Sequence, residues 1–265
     1  MVPGVLLAAA LVTQVGPLVR KGENAPAAVC SAFAVRQAAG LRLVTAAHCL
    51  KTNSMHLWFP GLEGNGLAPG KSHWSQVLAF PAMRWRRVPG HDLALVSLTT
   101  NVSAWPSGPM PEVGEPVVIY GYPQGLGVRT VACVYQGVVL LAGQPPRVRP
   151  SLSCQGLPSG ALQGFSGGAV VNAQGQAVGV VVSGIRTHAG WAPGFEPLDS
   201  GWQTAGPHRE RFWNVNTAVP ALSELAWWVD KQGNVDGWKV LGPDGALHSF
   251  GPRLPSADRA GSLRP

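Results

Sequence analysis

Residues 41–49 read Leu41-Arg42-Leu43-Val44-Thr45-Ala46-Ala47-His48-Cys49, a short apolar and β-branched run that stops on a histidine and a cysteine. Its length and composition predict a strand. Runs of the same kind recur at 27–35, 92–98, 116–121, 130–141, 168–173 and 177–183. Gly, Pro, Asn or Gln turns lie between most of them, and alternating βα units are absent. The chain is therefore read as all-β, not as a parallel α/β sheet. Residues 101–115 are rich in Pro and Gly and read as a linker between two β halves. Residues 217–230 (TAVPALSELAWWVD) make the best helix candidate, with Leu222, Leu225 and Trp228 on its apolar face. After Lys231 the chain reads as a turn-rich C-terminal tail, 231–265, with 251–265 loose.

Composition bounds the function classes. The 265 residues suffice for one large all-β domain or two small ones. Hydrophobic residues make up 46%, enough for a sizeable core, and charged residues only 12%. That excludes a disordered, solvating chain and a charged coiled coil. The net charge is +7, but the basic residues are scattered. The densest cluster is Arg84, Arg86 and Arg87 around Trp85. Such a cluster suits a nucleic-acid surface or a solvated loop. No DNA- or RNA-binding motif accompanies it, so the loop reading is preferred and no nucleic-acid partner is expected. Residues 4–12 form a short apolar run, well below the ~20 residues of a membrane-spanning helix. The first charges, Arg20 and Lys21, follow this run, whereas a signal peptide carries them before it. Residues 1–11 thus read as a weak signal or an N-terminal extension, and the run itself as a candidate first strand. No membrane span is expected.

The four cysteines, Cys30, Cys49, Cys133 and Cys154, form no CxxC pair. A zinc ribbon or thioredoxin-type site is disfavoured. Four cysteines allow three pairings. One of these, Cys30–Cys49 with Cys133–Cys154, keeps each bridge within one half of the chain. If both form, the compartment is oxidising, which suggests an extracytoplasmic or secreted protein.

Three segments carry candidate chemistry: the one ending at His48, His91-Asp92-Leu93-Ala94-Leu95, and Gly164-Phe165-Ser166-Gly167-Gly168-Ala169. Singly, each has a plain structural explanation. A histidine after a strand is usually structural, an Asp before an apolar run starts a strand, and a Ser between glycines is common in loops. Together and in this order, TAAHC, HDLAL and GxSGG resemble the chymotrypsin-like (trypsin-fold) serine peptidases over roughly residues 12–230. The segments Gly121-Tyr122-Pro123-Gln124-Gly125 and Gly164–Gly168 look closer to the bacterial and viral branches, including the high-temperature-requirement proteases, than to digestive trypsins.

The resemblance implies two antiparallel six-stranded β-barrels, at about 12–105 and 112–218, with a C-terminal helix at about 217–230. It implies a serine endopeptidase with its site between the barrels, acting through an acyl-enzyme on a protein or peptide substrate. His48, Asp92 and Ser166 would be catalytic, and the amides of Gly164 and Ser166 would form the oxyanion hole. Gly160 and Ala161 would line the primary pocket, and Val182-Ser183-Gly184 would pair with the substrate backbone. A Cys30–Cys49 bridge would pin the histidine loop. No cofactor or metal is implied, and a monomer is expected.

The residue chemistry agrees. A serine hydroxyl needs a base to become nucleophilic. His48 would serve, with a carboxylate to fix its tautomer. Between His48 and Ser166 the acids are Glu63, Asp92, Glu112 and Glu115, and only Asp92 starts a strand-like run. The glycines permit unusual backbone geometry and close approach around the serine. Phe165 stands where digestive relatives carry an Asp before the serine, and no Ile-Val-Gly-Gly start is visible, so activation through a new amino terminus is not expected. Residues 150–165 carry no charged side chain. A pocket without negative charge should favour small or medium apolar residues over Arg or Lys. Arg186 and His188 offer a lesser option, preference for an acidic or amide side chain. Rival readings are a viral or phage-type polyprotein-processing protease and an inactive binding protein on the same fold. An α/β-hydrolase esterase orders its triad Ser, acid, His and is set aside. A zinc site from these thiols and a histidine lacks ligands at sensible spacing.

Overall fold

The computed structural model describes residues 12–21, 28–61, 77–123, 127–141, 147–154, 164–187, 190–198, 207–214, 222–229, 235–241 and 247–250. Among them there is no α-helix; the regular structure is strand with three short 3-10 turns. The first sheet contains β1 (Val15–Arg20), β2 (Ala28–Gln37), β3 (Gly40–Ala46), β4 (Met55–Trp58), β5 (Leu78–Pro81), β6 (Arg86–Arg87), β7 (Leu93–Ser97) and β8 (Trp105–Pro106). Its order is β5-β4-β1-β2-β3-β7-β6, with β8 added in parallel on β2. The β2–β3 hairpin turns through Gly40, whose φ of 108° needs a residue without Cβ.

The second sheet contains β9 (Pro116–Gly121), β10 (Arg129–Leu141), β11 (Arg147–Cys154), β12 (Ala169–Asn172), β13 (Ala177–Thr187), β14 (Gly190–Pro197), β15 (Pro207–Asn214), β16 (Leu222–Val229), β17 (Val235–Leu241) and β18 (Leu247–Phe250). Its order is β11-β14-β13-β12-β9-β10-β15-β16-β17-β18. A further pairing of β11 with β10 closes the first six of these into a barrel. Cys133 and Cys154 face each other across that closing ladder and are disulfide-bonded, with Cα atoms 4.1 Å apart.

The structure revises three expectations. The second barrel closes with six strands, but the first sheet is a half-barrel among the described residues, because no ladder joins β5 to β6. Their chain connection, the turn Ala82–Arg84, nevertheless brings those two edges together, and Phe80 packs on Trp85 there at 5.8 Å. The helix expected at 217–230 is strand β16 over 222–229, paired on both sides by β15 and β17. The Trp227-Trp228-Val229 end favours strand, and two ladders satisfy its backbone where a lone helix would depend on one packed face. The supposed tail carries β17 and β18, so pairing extends past residue 218 to Phe250. The first described strand begins at Val15, with residues 1–11 and 251–265 outside the described residues.

One buried cluster runs through both sheets, from Phe33, Leu43 and Trp105 to Tyr120, Ala169 and Val180. Trp105, from the segment read as a linker, packs on Tyr120 at 5.1 Å, and Ser107 bridges to Ala177. The linker is thus docked into the seam. Trp85 is also buried, against Phe80 and His56, with Arg84 and Arg86 exposed around it. A base-stacking surface would need that indole outside.

His56 on β4 is almost fully buried, and neither ring nitrogen has a hydrogen-bond partner among the described residues. Burial, reinforced by the charges of Arg20 and Arg87, holds its pKa below the usual 6.5. The unfolded chain therefore takes up a proton that the folded chain resists. Stability is full above about pH 6.5 and falls as pH drops from there toward the lowered folded value. Urea midpoints measured across that window should decline more steeply for the wild type than for His56→Phe.

Candidate active site

His48 and Asp92 both come from the first sheet. β3 ends at Ala46, and a 3-10 turn over Ala47–Cys49 sets His48 beyond it. β7 pairs with β3, bringing Leu93 opposite Ala46 and hence Asp92 beside that turn. Three hydrogen bonds join the two residues' segments. Ala47 N donates to Asp92 O at 3.1 Å, and His48 N donates to Asp92 Oδ1 at 2.8 Å. His48 Nδ1 donates to Asp92 Oδ2 at 2.7 Å. A carboxylate only accepts, so this bond fixes the proton on Nδ1 and leaves Nε2 of the neutral ring as the free base. The His48 side chain is 46% exposed and that of Asp92 24%.

Burial works to raise the Asp92 carboxyl. The His48 side-chain hydrogen bond and charge, the His48 amide and the Arg149 charge together outweigh it, holding the group below the usual carboxylate value. The Asp92 carboxylate is therefore favoured in its ionised form, the form that accepts the His48 hydrogen bonds.

Ser166 comes from the second sheet, on a tight turn over residues 164–167 that leads into β12. Gly164 (φ 89°) and Gly167 (φ 83°) take the left-handed backbone that this turn requires. Gly168 N closes the turn on Phe165 O at 2.7 Å. Phe165 is buried against Gly121, where any Cβ would overlap its ring. Phe165 is thus a core anchor of the turn.

The turn is locked to β2 of the first sheet. Ser31 N donates to Ser166 O at 2.7 Å. The Ser31 hydroxyl donates to Gly164 O at 2.7 Å and accepts from Tyr122 N at 2.7 Å. Thr45 Oγ1 donates to Ser31 O at 2.8 Å. A Cβ on Gly167 would overlap both Ser31 O and Thr45 Oγ1. Ser31 follows Cys30, which is disulfide-bonded to Cys49, the neighbour of His48. Backbone and disulfide therefore carry Ser166 toward His48. No hydrogen bond joins their side chains among the described residues, and such bonds are often long before substrate binds. Among the described residues, neither the Gly164 nor the Ser166 amide donates a hydrogen bond.

Val182, Ser183 and Gly184 lie on β13, opposite β14, with Gly184 exposed. Gly160, Ala161 and His188 lie outside the described residues. Cys30, Cys49 and a ring nitrogen of His48 come within 4.8 Å of one another, the spacing of a metal site. Both sulfurs are spent in the disulfide, so the cluster has no thiolate to offer a zinc ion. Ser31, Arg149 and Glu196 were not marked by the sequence, since each contacts its partners across a long sequence separation.

Residues 30–180 match the family model described as the trypsin-like peptidase domain. No curated protein matches the chain's sequence significantly. Among solved structures it is similar to the MamO protease domain from Magnetospirillum magneticum, at 20% identity over 70% of this chain and 92% of that one, with a TM-score of 0.47. It is similar to the thermostable serine protease AL20 from an extremophilic microorganism, at 19% identity over 72% of this chain and 94% of that one, with a TM-score of 0.49. It is also similar to the active form of the Rv3671c protease from M. tuberculosis, at 20% identity over 72% and 77% of the chains, with a TM-score of 0.47.

Ser31→Ala removes the donor to Gly164 O and leaves the Tyr122 amide buried without its acceptor. The expected cost is about 1–3 kcal/mol, read as a lowered urea midpoint.

Proposed function

Since the chain belongs to the trypsin-like peptidase domain family, we propose that it is a serine endopeptidase with Ser166 as nucleophile, His48 as base and Asp92 as the orienting acid. The observation that carries this reading is the His48 Nδ1 to Asp92 Oδ2 hydrogen bond at 2.7 Å, which leaves Nε2 as the base.

The chemistry then follows from the residues. Ser166 Oγ attacks the scissile carbonyl carbon while His48 Nε2 takes the hydroxyl proton. The carbonyl oxygen becomes an oxyanion, received by the Gly164 and Ser166 amides. Their lack of other acceptors among the described residues supports that role. Asp92 stabilises the imidazolium that forms, without itself taking the proton. His48 returns the proton to the leaving amine as the carbon–nitrogen bond breaks, giving the acyl-enzyme. A water, deprotonated by His48, then hydrolyses the ester and restores Ser166.

Val182-Ser183-Gly184 would accept the substrate as an added strand, and exposure of Gly184 supports access there. The uncharged stretch 150–165 argues for a small or medium apolar residue before the scissile bond. The two disulfides support an oxidising, extracytoplasmic setting.

A fluorophosphonate probe, followed by peptide mass spectrometry, tests the assignment. Label on Ser166, absent in Ser166→Ala and His48→Ala, is the expected result. Asp92→Asn should slow labelling by about 10⁴-fold, as loss of the tautomer-fixing acid does in such triads. An unlabelled, disulfide-intact wild type would favour the inactive binding protein instead.

A further inference from the structure

Beside Asp92 lies a polar cluster that the proposed reaction does not use. Glu196 reaches from β14 of the second sheet, and its side chain is only 8% exposed. Its Oε1 accepts from the Asp92 amide at 3.3 Å and from Arg149 Nη2 at 3.0 Å. Its Oε2 accepts from His91 Nδ1 at 3.1 Å. Arg149, on β11, also donates through Nη1 to Ser183 Oγ at 3.3 Å.

We infer that Glu196, held by Arg149, is a positioning residue that fixes Asp92 against His48 from the opposite sheet. This inference rests on the peptidase reading above. Asp92 is then gripped on every side: its carbonyl by Ala47 N, its carboxylate by His48, its amide by Glu196. Only the last grip comes from the second sheet, the sheet that carries Ser166. Glu196 thereby ties the acid's backbone to the frame in which the nucleophile sits.

Glu196 has a second effect, through charge. The Arg149 guanidinium is almost buried, and its charge acts on Asp92. With Glu196 as partner it is occupied. Without Glu196 it is an unpaired buried cation beside a carboxylate that His48 needs, and such a cation seeks the nearest anion. The link from Arg149 to Ser183 extends the same network to the segment proposed to hold substrate.

The test compares wild type, Glu196→Gln and the double variant Glu196→Gln with Arg149→Met. Two readouts are used: the saturation kinetics of fluorophosphonate labelling, and the proton NMR resonance of His48 Nδ1–H, assigned by its loss in His48→Ala. In Glu196→Gln the maximal labelling rate should fall by about 10- to 100-fold, the scale of a small misplacement of a catalytic group. The half-saturating probe concentration should not change, and the His48 resonance should shift or broaden. The double variant removes the unpaired cation, so its thermal midpoint should recover while labelling stays slow. It also decides the matter if Glu196→Gln fails to fold. Wild-type labelling rate with an unmoved resonance in Glu196→Gln would overturn the inference. So would a double variant that regains rate together with stability, which would reduce Glu196 to balancing a buried charge. A wild type that does not label speaks against the peptidase reading. The His48 resonance in Glu196→Gln then still decides whether Glu196 positions the pair.

Discussion

The turn that carries Ser166 touches β2 at backbone distance, and everything else in the site is arranged around that contact. Gly167 has no side chain because the Ser31 carbonyl and the Thr45 hydroxyl occupy the place where a Cβ would stand. Its left-handed backbone adds a second, independent requirement for glycine. The result is a Ser166 turn from one sheet docked directly on the backbone of a strand of the other. Ser31, at the centre, is fully buried and fully used: its amide, carbonyl and hydroxyl each have a partner. A buried polar residue is tolerated where its groups are satisfied in this way.

The contact matters because histidine and acid belong to the first sheet and the serine to the second. Within the first sheet, β3–β7 pairing sets His48 beside Asp92, and the Cys30–Cys49 disulfide ties the histidine turn back to β2. Ser31 is next to Cys30, so the bridge and the inter-sheet contact share one strand. Closing the 19-residue separation restricts the unfolded chain by about 3 kcal/mol in the loop-entropy account. The same covalent tie removes both sulfurs from metal chemistry. Electrostatics at Asp92 follow from the same geometry, since half-burial alone would protonate the acid more readily and the surrounding donors reverse that tendency.

The strands were legible because their period and composition are local. The runs at 41–46, 92–98 and 116–121 contain β3, β7 and β9 nearly residue for residue. The disulfide partners were legible as a local choice among three pairings, and both bridges formed as that choice had them. The segment at 222–229 was not, because its Leu and Trp spacing fits a helical face as well as a strand. Only its pairing with β15 and β17 distinguishes the two. Closure was equally hidden: whether a set of strands makes a barrel depends on its end ladders, and among the described residues one set has such a ladder while the other does not. Glu196 escaped notice because the search for an acid ran between His48 and Ser166, and Glu196 lies beyond that window.

The sequence by itself determined the residue types that the proposed chemistry needs, their order along the chain, the all-β character and the glycines around Ser166. These are properties of short segments, set by side-chain chemistry and local backbone preference. Tertiary structure alone decided that Ser31 would lock the Ser166 turn and that Glu196 would reach Asp92 across 104 positions of sequence. Those contacts arise from where two sheets meet, and a pairing between distant segments leaves no period, spacing or motif in either one.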